Sequence, residues 1–266
     1  MDLGLTNKVA IITGGSEGIG KAAAQRMAEE GARVVIVARR SEVLETAAQD
    51  IRKTATKGAV LPIQGDVTDS ATINRVVETT LHNFGRIDIL VNNAGVSMAK
   101  PFEEVSDADW ESDFSLKVWG AIRFIRTVIP EMRKVGGGRI INVTNLGGRT
   151  PGSSSMPTSI SRAAGIAITK GLSKDLAKDN ILVTTVCIGL IKSGQHERRY
   201  ARQQGSRPNE SIEEFYAASA KARGVPLGRV GEAHEAGDVI TFLASERASY
   251  LTGIAINIDG GTSPVV

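Results

Sequence analysis

Short runs of β-branched and aliphatic residues alternate with amphipathic stretches of helical period along the whole chain, a rhythm that leaves few folds open. Seven runs read as strands: Val9–Thr13, Arg33–Val37, Ala59–Gly65, Ile87–Val91, Arg139–Val143, Leu182–Val186 and Ala255–Ile258. They are mostly apolar without strict alternation, as strands covered on both faces must be. Between them Ile19–Glu30, Ser41–Thr54, Ala71–Phe84, Asp107–Arg133, Ser159–Lys178 and Ala233–Ala244 read as helices. The pattern predicts one doubly wound α/β domain over residues 1–266, a seven-stranded parallel sheet with helices on both faces. Only Ser193–Gly224 departs from the rhythm. It is polar and rich in Arg, Gln and Ser, and it reads as a substrate lid.

A length of 266 residues suits one such domain, and 41% hydrophobic residues are enough for its core. Charge excludes some partners. The formal net charge is +3, from basic and acidic residues spread along the chain without a basic run, so no nucleic-acid partner is expected. No apolar run approaches the ~20 residues of a membrane span, so no membrane association is expected. The single cysteine, Cys187, has no internal disulfide partner, and Met1–Lys8 carries no signal pattern, which predicts a cytoplasmic protein.

The first strand runs into Gly14-Gly15-Ser16-Glu17-Gly18-Ile19-Gly20 and then an alanine-rich helix. A dinucleotide pyrophosphate needs such a turn, because glycine lets backbone approach the phosphate oxygens while the helix N-terminus offers free N–H groups. The spacing GxxxGxG differs from the GxGxxG of the larger dehydrogenases. An ordinary strand-to-helix turn is the alternative for this cluster taken alone.

Thr13–Gly20, Asp66-Val67 after the third strand and Asn92-Asn93-Ala94-Gly95 after the fourth are joined by Arg229-Val230-Gly231, Phe242–Ser245 and Asp259-Gly260-Gly261. Together these motifs resemble the short-chain dehydrogenase/reductase family along essentially the whole chain. The resemblance implies a Rossmann-type fold. It gives Gly14, Gly18, Ile19 and Gly20 to the pyrophosphate, Asp66 and Val67 to the adenine, and Asn93 and Gly95 to the back of the cofactor pocket. An acidic residue after the second strand would hold the ribose hydroxyls of NAD, but the chain reads Val37-Ala38-Arg39-Arg40. Arg39 and Arg40, with Ser16, are suited to a 2′-phosphate, which predicts NADP, with NAD as the alternative. Glu17, close by, would oppose that phosphate.

The family's serine, tyrosine, lysine and asparagine positions fall by spacing on Asn145, Thr158, Arg162 and Lys117, so all four differ. Ser193 stands where a threonine that helps hold the nicotinamide is usual. Arg162 remains a cation for the ribose, and Asn145 can still donate to a carbonyl oxygen. Thr158 cannot replace a phenol as an acid. The proton carrier is therefore sought among Lys117, His196, Tyr200 and Tyr216. Three readings follow: an NADP-dependent oxidoreductase acting on a small-molecule carbonyl or secondary alcohol with a relocated proton carrier; a non-catalytic NADP-binding oligomer; or non-redox carbonyl chemistry such as retro-aldol cleavage or dehydration. No metal site is expected. The resemblance also implies a homotetramer or homodimer paired through the helices Asp107–Arg133 and Ser159–Lys178.

Overall fold

In the computed structural model, which describes residues 1–55, 59–205 and 207–265, the strands lie side by side in the order β3-β2-β1-β4-β5-β6-β7, and every pairing is parallel. Residues 56–58, 206 and 266, which fall within the expected 1–266 domain and, for Ser206, the expected lid, lie outside the described residues. The strands are β1 (Val9–Thr13), β2 (Arg33–Ala38), β3 (Val60–Gln64), β4 (Ile89–Asn92), β5 (Gly138–Asn145), β6 (Ile181–Ile188) and β7 (Ala255–Ile258). The helices are α1 (Gly18–Glu29), α2 (Ser41–Thr54), α3 (Ser70–Phe84), α4 (Asp107–Phe114), α5 (Gly120–Lys134), α6 (Thr158–Asp175), α7 (Gly194–Gln203), α8 (Ile212–Ala222) and α9 (Ala233–Ala244).

Successive strand residues feed opposite cores. Ala10, Ile12, Val34 and Ile36 pack with α1, α2 and α9, while Ile11, Val35 and Val37 pack with α3 and α5 on the other face. Both faces are covered, which is why the strands read as continuous apolar runs. Strand β4 starts at Ile89 rather than Ile87, because the Asp88 carboxylate accepts from the Val9 N–H (2.9 Å) and from Arg86. A buried polar chain crosses the sheet: Asn92 donates to Asn142 (3.0 Å), Asn142 to Thr169 (2.8 Å), and Thr169 shares a 2.7 Å bond with Thr185. It ties β4, β5, β6 and α6 into one register.

Two expected elements come out differently. The helix expected over Asp107–Arg133 is α4 and α5 joined by a wider π turn at Ser115–Trp119. The 193–224 excursion contains α7 and α8, with Leu190, Phe215, Tyr216, Ala220, Val225 and Val230 forming a small core of their own. Short apolar spacing diluted by charge hides α8 in the sequence, although Ser211 and Glu214 form its capping box. Strand order reverses between β1 and β4, and their C-terminal ends open the crevice where an open α/β sheet takes its ligand.

Candidate active site

A cleft of about 950 Å³ runs from the glycine turn after β1, past the ends of β2 and β4, to the start of α6. Gly14, Ser16, Gly18 and Ile19 line it. The turn is held from behind by Asn93, whose side-chain amide donates to the carbonyls of Thr13 (2.9 Å) and Gly14 (3.1 Å). Gly14, at φ +66°, would bring a Cβ within 2.8 Å of that amide, and Gly20 within 2.4 Å. Glycine is needed at both for that close approach. Gly20 faces Asn93 and does not line the cleft, so its part is packing the turn, whereas Asn93 both braces the turn and lines the cleft. Glu17 precedes α1 without capping it, which leaves the first N–H groups of the helix directed at the cleft.

Arg39 and Arg40 leave β2 at the outer end. Arg40 pairs with Glu17 at 2.5 Å, and Arg39 lies 3.8 Å from Asp66. Glu17 also takes Arg198 of α7 at 3.2 Å, so the acid that opposes a phosphate is held between two arginines. Asp66 accepts from the Thr68 N–H and hydroxyl, and Val67 beside it is buried.

The inner end is built from α4, the π turn and α6. Lys117 and Asp113 form a hydrogen-bonded ion pair with both side chains 1% exposed. The other Asp113 oxygen accepts from Ser161 (2.6 Å), and Lys117 donates to the Thr158 hydroxyl oxygen at 2.9 Å. Thr158 accepts a second bond from the Met98 N–H (3.0 Å). Burial, aided by the charge of Arg162, pulls Lys117 down to about 8 against the opposing pull of Asp113. Burial likewise draws Arg162 down to about 10. Arg162 donates to the Val143 carbonyl (2.7 Å), and Gly95 leaves it room, since a Cβ there would sit 2.6 Å from the guanidinium.

Thr158, Arg162 and Asn145 line the main cleft, whereas Lys117 lines a cavity of about 30 Å³ behind them, large enough for a water molecule. The Lys117 amine thus meets the cleft through Thr158. The Asn145 carboxamide oxygen is buried and has no hydrogen-bond partner among the described residues, and Asn145 lines the cleft. Asp113 and Ser161 escaped sequence reasoning. The i, i+4 spacing of Asp113 and Lys117 is a signal that points to Asp113; Ser161 leaves none.

Ser193 lines the cleft at the head of α7, and Gln195 bridges Gly95 (3.4 Å) and Ser97 (3.3 Å) across it. His196 also lines the cleft, and burial lowers its pKa. Tyr200 and Tyr216 do not line it. Tyr200 is engaged with the Glu210 carbonyl (2.7 Å), and Tyr216 belongs to the small core under α7 and α8.

Residues 8–204 match the family model described as short chain dehydrogenase. The 3-oxoacyl-(acyl-carrier-protein) reductase of Thermotoga maritima is 35% identical over 257 residues, covering 97% of this chain and 98% of the relative. L-sorbose reductase from Gluconobacter frateurii, solved in complex with NADPH and L-sorbose, superposes with a TM-score of 0.95 at 33% identity over 100% of both chains. An NADPH-bound short chain oxidoreductase from Pseudomonas aeruginosa PAO1, described as containing an atypical catalytic center, superposes at 0.91 with 31% identity over 99% of each. Matching motifs, strand order and full-length similarity agree: the chain belongs to the short-chain dehydrogenase/reductase family.

Proposed function

We propose that this protein is an NADP-dependent oxidoreductase that interconverts a carbonyl compound and a secondary alcohol, using Thr158 and Lys117 in place of the family's tyrosine. The residues present fit the cofactor. The glycine turn offers close backbone approach and free helix N–H groups, and two arginines stand where a 2′-phosphate would lie. NADPH-bound relatives of the same fold support this choice. In this reading Gly14, Gly18 and Ile19 hold the pyrophosphate, Ser16, Arg39 and Arg40 the 2′-phosphate, Asp66 and Val67 the adenine. Gly95 and Asn93 back the pocket, and Arg162 and Ser193 hold the nicotinamide half. When bound, the cofactor supplies or accepts the hydride.

One observation carries the assignment of the proton. Both acceptor positions of the Thr158 hydroxyl are filled, by Lys117 and by the Met98 N–H, so its own proton is left to point into the cleft. Thr158 donates that proton to the developing alkoxide as Lys117 replaces it, so no free threonine alkoxide forms. Asn145 donates to the same oxygen. Asp113 and Ser161 fix the lysine. The roles of His196 and the 193–224 lid lie in covering the substrate rather than in carrying the proton.

Exposed Trp119 and Ile160 sit on the two helical segments expected to pair across a two-fold axis, and we read them as part of a dimer or tetramer contact. Fluorescence titration with NADPH and NADH, followed by a carbonyl screen read as nicotinamide oxidation, tests the enzymatic reading. Binding of NADPH without oxidation of any carbonyl would reject it.

A further inference from the structure

The arginines of the cleft divide into those that have an acid and those that do not. Arg39, Arg40 and Arg198 each lie near a carboxylate, at Asp66 or Glu17. Arg199 of α7 and Arg223, which closes α8, line the same cleft and make no ion pair among the described residues. The acids nearby do not supply one. Glu232 is taken by Lys192 at 2.5 Å, and Glu197 forms no ion pair with either arginine among the described residues.

The two guanidinium groups come from different elements and are exposed on the wall of the cleft that His196 also lines; burial, with smaller pushes from these two charges, holds that imidazole below its usual range. A neutral His196 adds no compensating charge. This wall lies toward the inner end. Arg199 is one helical turn beyond Gln195, which touches Gly95, and Gly95 abuts Arg162 beside Thr158. An anionic group seated between Arg199 and Arg223 would supply the counter-charge that both lack. The 2′-phosphate is assigned to Arg39 and Arg40, which α7 reaches through Arg198 and Glu17 rather than through Arg199.

We propose that Arg199 and Arg223 form a subsite for an anionic group, a carboxylate or a phosphate, carried by the substrate a short distance from its reacting carbonyl. This rests on the reductase reading above and names its substrate class. Charge, rather than the shape of the lid, then selects the substrate.

The test pairs charged and neutral probes of equal reach: 3-oxobutanoate with its methyl ester, and dihydroxyacetone phosphate with dihydroxyacetone. In the double variant Arg199→Gln with Arg223→Gln, kcat/KM for the charged member of one pair should fall about 10- to 100-fold, the worth of a charge-assisted contact. The neutral member and the NADPH Kd should stay within about two- to three-fold, as expected when only a substrate charge has lost its partner. The pair that responds tells carboxylate from phosphate. An equal fall for charged and neutral members, no fall at all, or a loss confined to NADPH affinity overturns the proposal. If NADPH binds but no probe is reduced, the reductase reading fails separately. Calorimetric binding of the same anions to the NADPH-loaded protein then decides: binding that the double variant loses supports the subsite, and absence of binding rejects it.

Discussion

The outer and inner ends of the cleft handle charge in opposite ways. At the outer end Arg39 and Arg40 are more than half exposed and adjacent in sequence, Arg40 closely and Arg39 loosely paired with acids that are themselves partly in water. Behind the inner end Lys117 and Asp113 are withdrawn from water, and this buried pair meets the cleft through a neutral hydroxyl, beside the Arg162 guanidinium. Exposed charge binds an anion and is individually replaceable. Buried charge holds a proton at a chosen energy, and each member depends on the others.

The sharpest way to break this contrast is at the inner end. Lys117→Met should lower kcat by ~10²–10⁴-fold, the usual loss when a positioned proton source is removed, with NADPH affinity within a few-fold. Thr158→Val should do comparable damage and Thr158→Ser should retain activity, because only the hydroxyl links the lysine to the cleft. Steady-state kinetics alongside NADPH titration read both. If Thr158→Val is as active as the unmodified protein, Lys117 reaches the substrate by another path.

The second test asks whether the buried pair is a unit. Asp113→Ala leaves Lys117 without its counter-charge and should destabilise the fold by about 3–5 kcal/mol, read by denaturant unfolding. The double substitution Asp113→Leu with Lys117→Met should recover most of that stability and none of the turnover. A double variant as unstable as Asp113→Ala would mean that the pair does not act as a unit.

At the outer end the expected effect is smaller. Arg39→Asp should weaken NADPH by about 1.5–3 kcal/mol and turn the preference toward NADH, measured by the same titration. An unmodified protein that already prefers NADH would remove the 2′-phosphate assignment.

These two ends also explain what could be read in advance. The glycine turn, Arg39-Arg40 and Asp66-Val67 are short contiguous segments whose geometry follows from a strand ending at a helix, so the residues announce the site. The strand and helix rhythm predicted the sheet for the same reason. Thr158, Arg162 and Lys117 were legible as substitutions, but their wiring was not. It depends on Asp113 and Ser161, from two different helices, and on the π turn, none of which leaves a local pattern beyond the i, i+4 spacing. The small core under α7 and α8 was missed because its apolar residues are scattered through a polar segment.

The last test is of pH. Lys117 sits at about 8 in the folded protein against an ordinary 10.5, so between those values the unfolded chain binds the extra proton. Unfolding free energy should therefore rise with pH through that window, by this group's contribution alone. Carbonyl reduction, which needs the protonated amine, should fall as pH is raised through about 8, and alcohol oxidation should rise. A profile flat across that range in both directions would separate Lys117 from the proton.

The wide turn at Ser115–Trp119 gives the inner end a particular genetic fragility. Most of the chemistry here tolerates point changes in neighbouring surface residues, but the meeting of Asp113 with Lys117 depends on a count of residues rather than on their kind. Loss of one codon between them would turn Lys117 by about 100° relative to Asp113 and out of the geometry that joins it to Thr158. Loss of Ser115, which lies between Phe114 and Leu116, removes no apolar side chain. A lineage could abandon this proton path in one step and keep its fold.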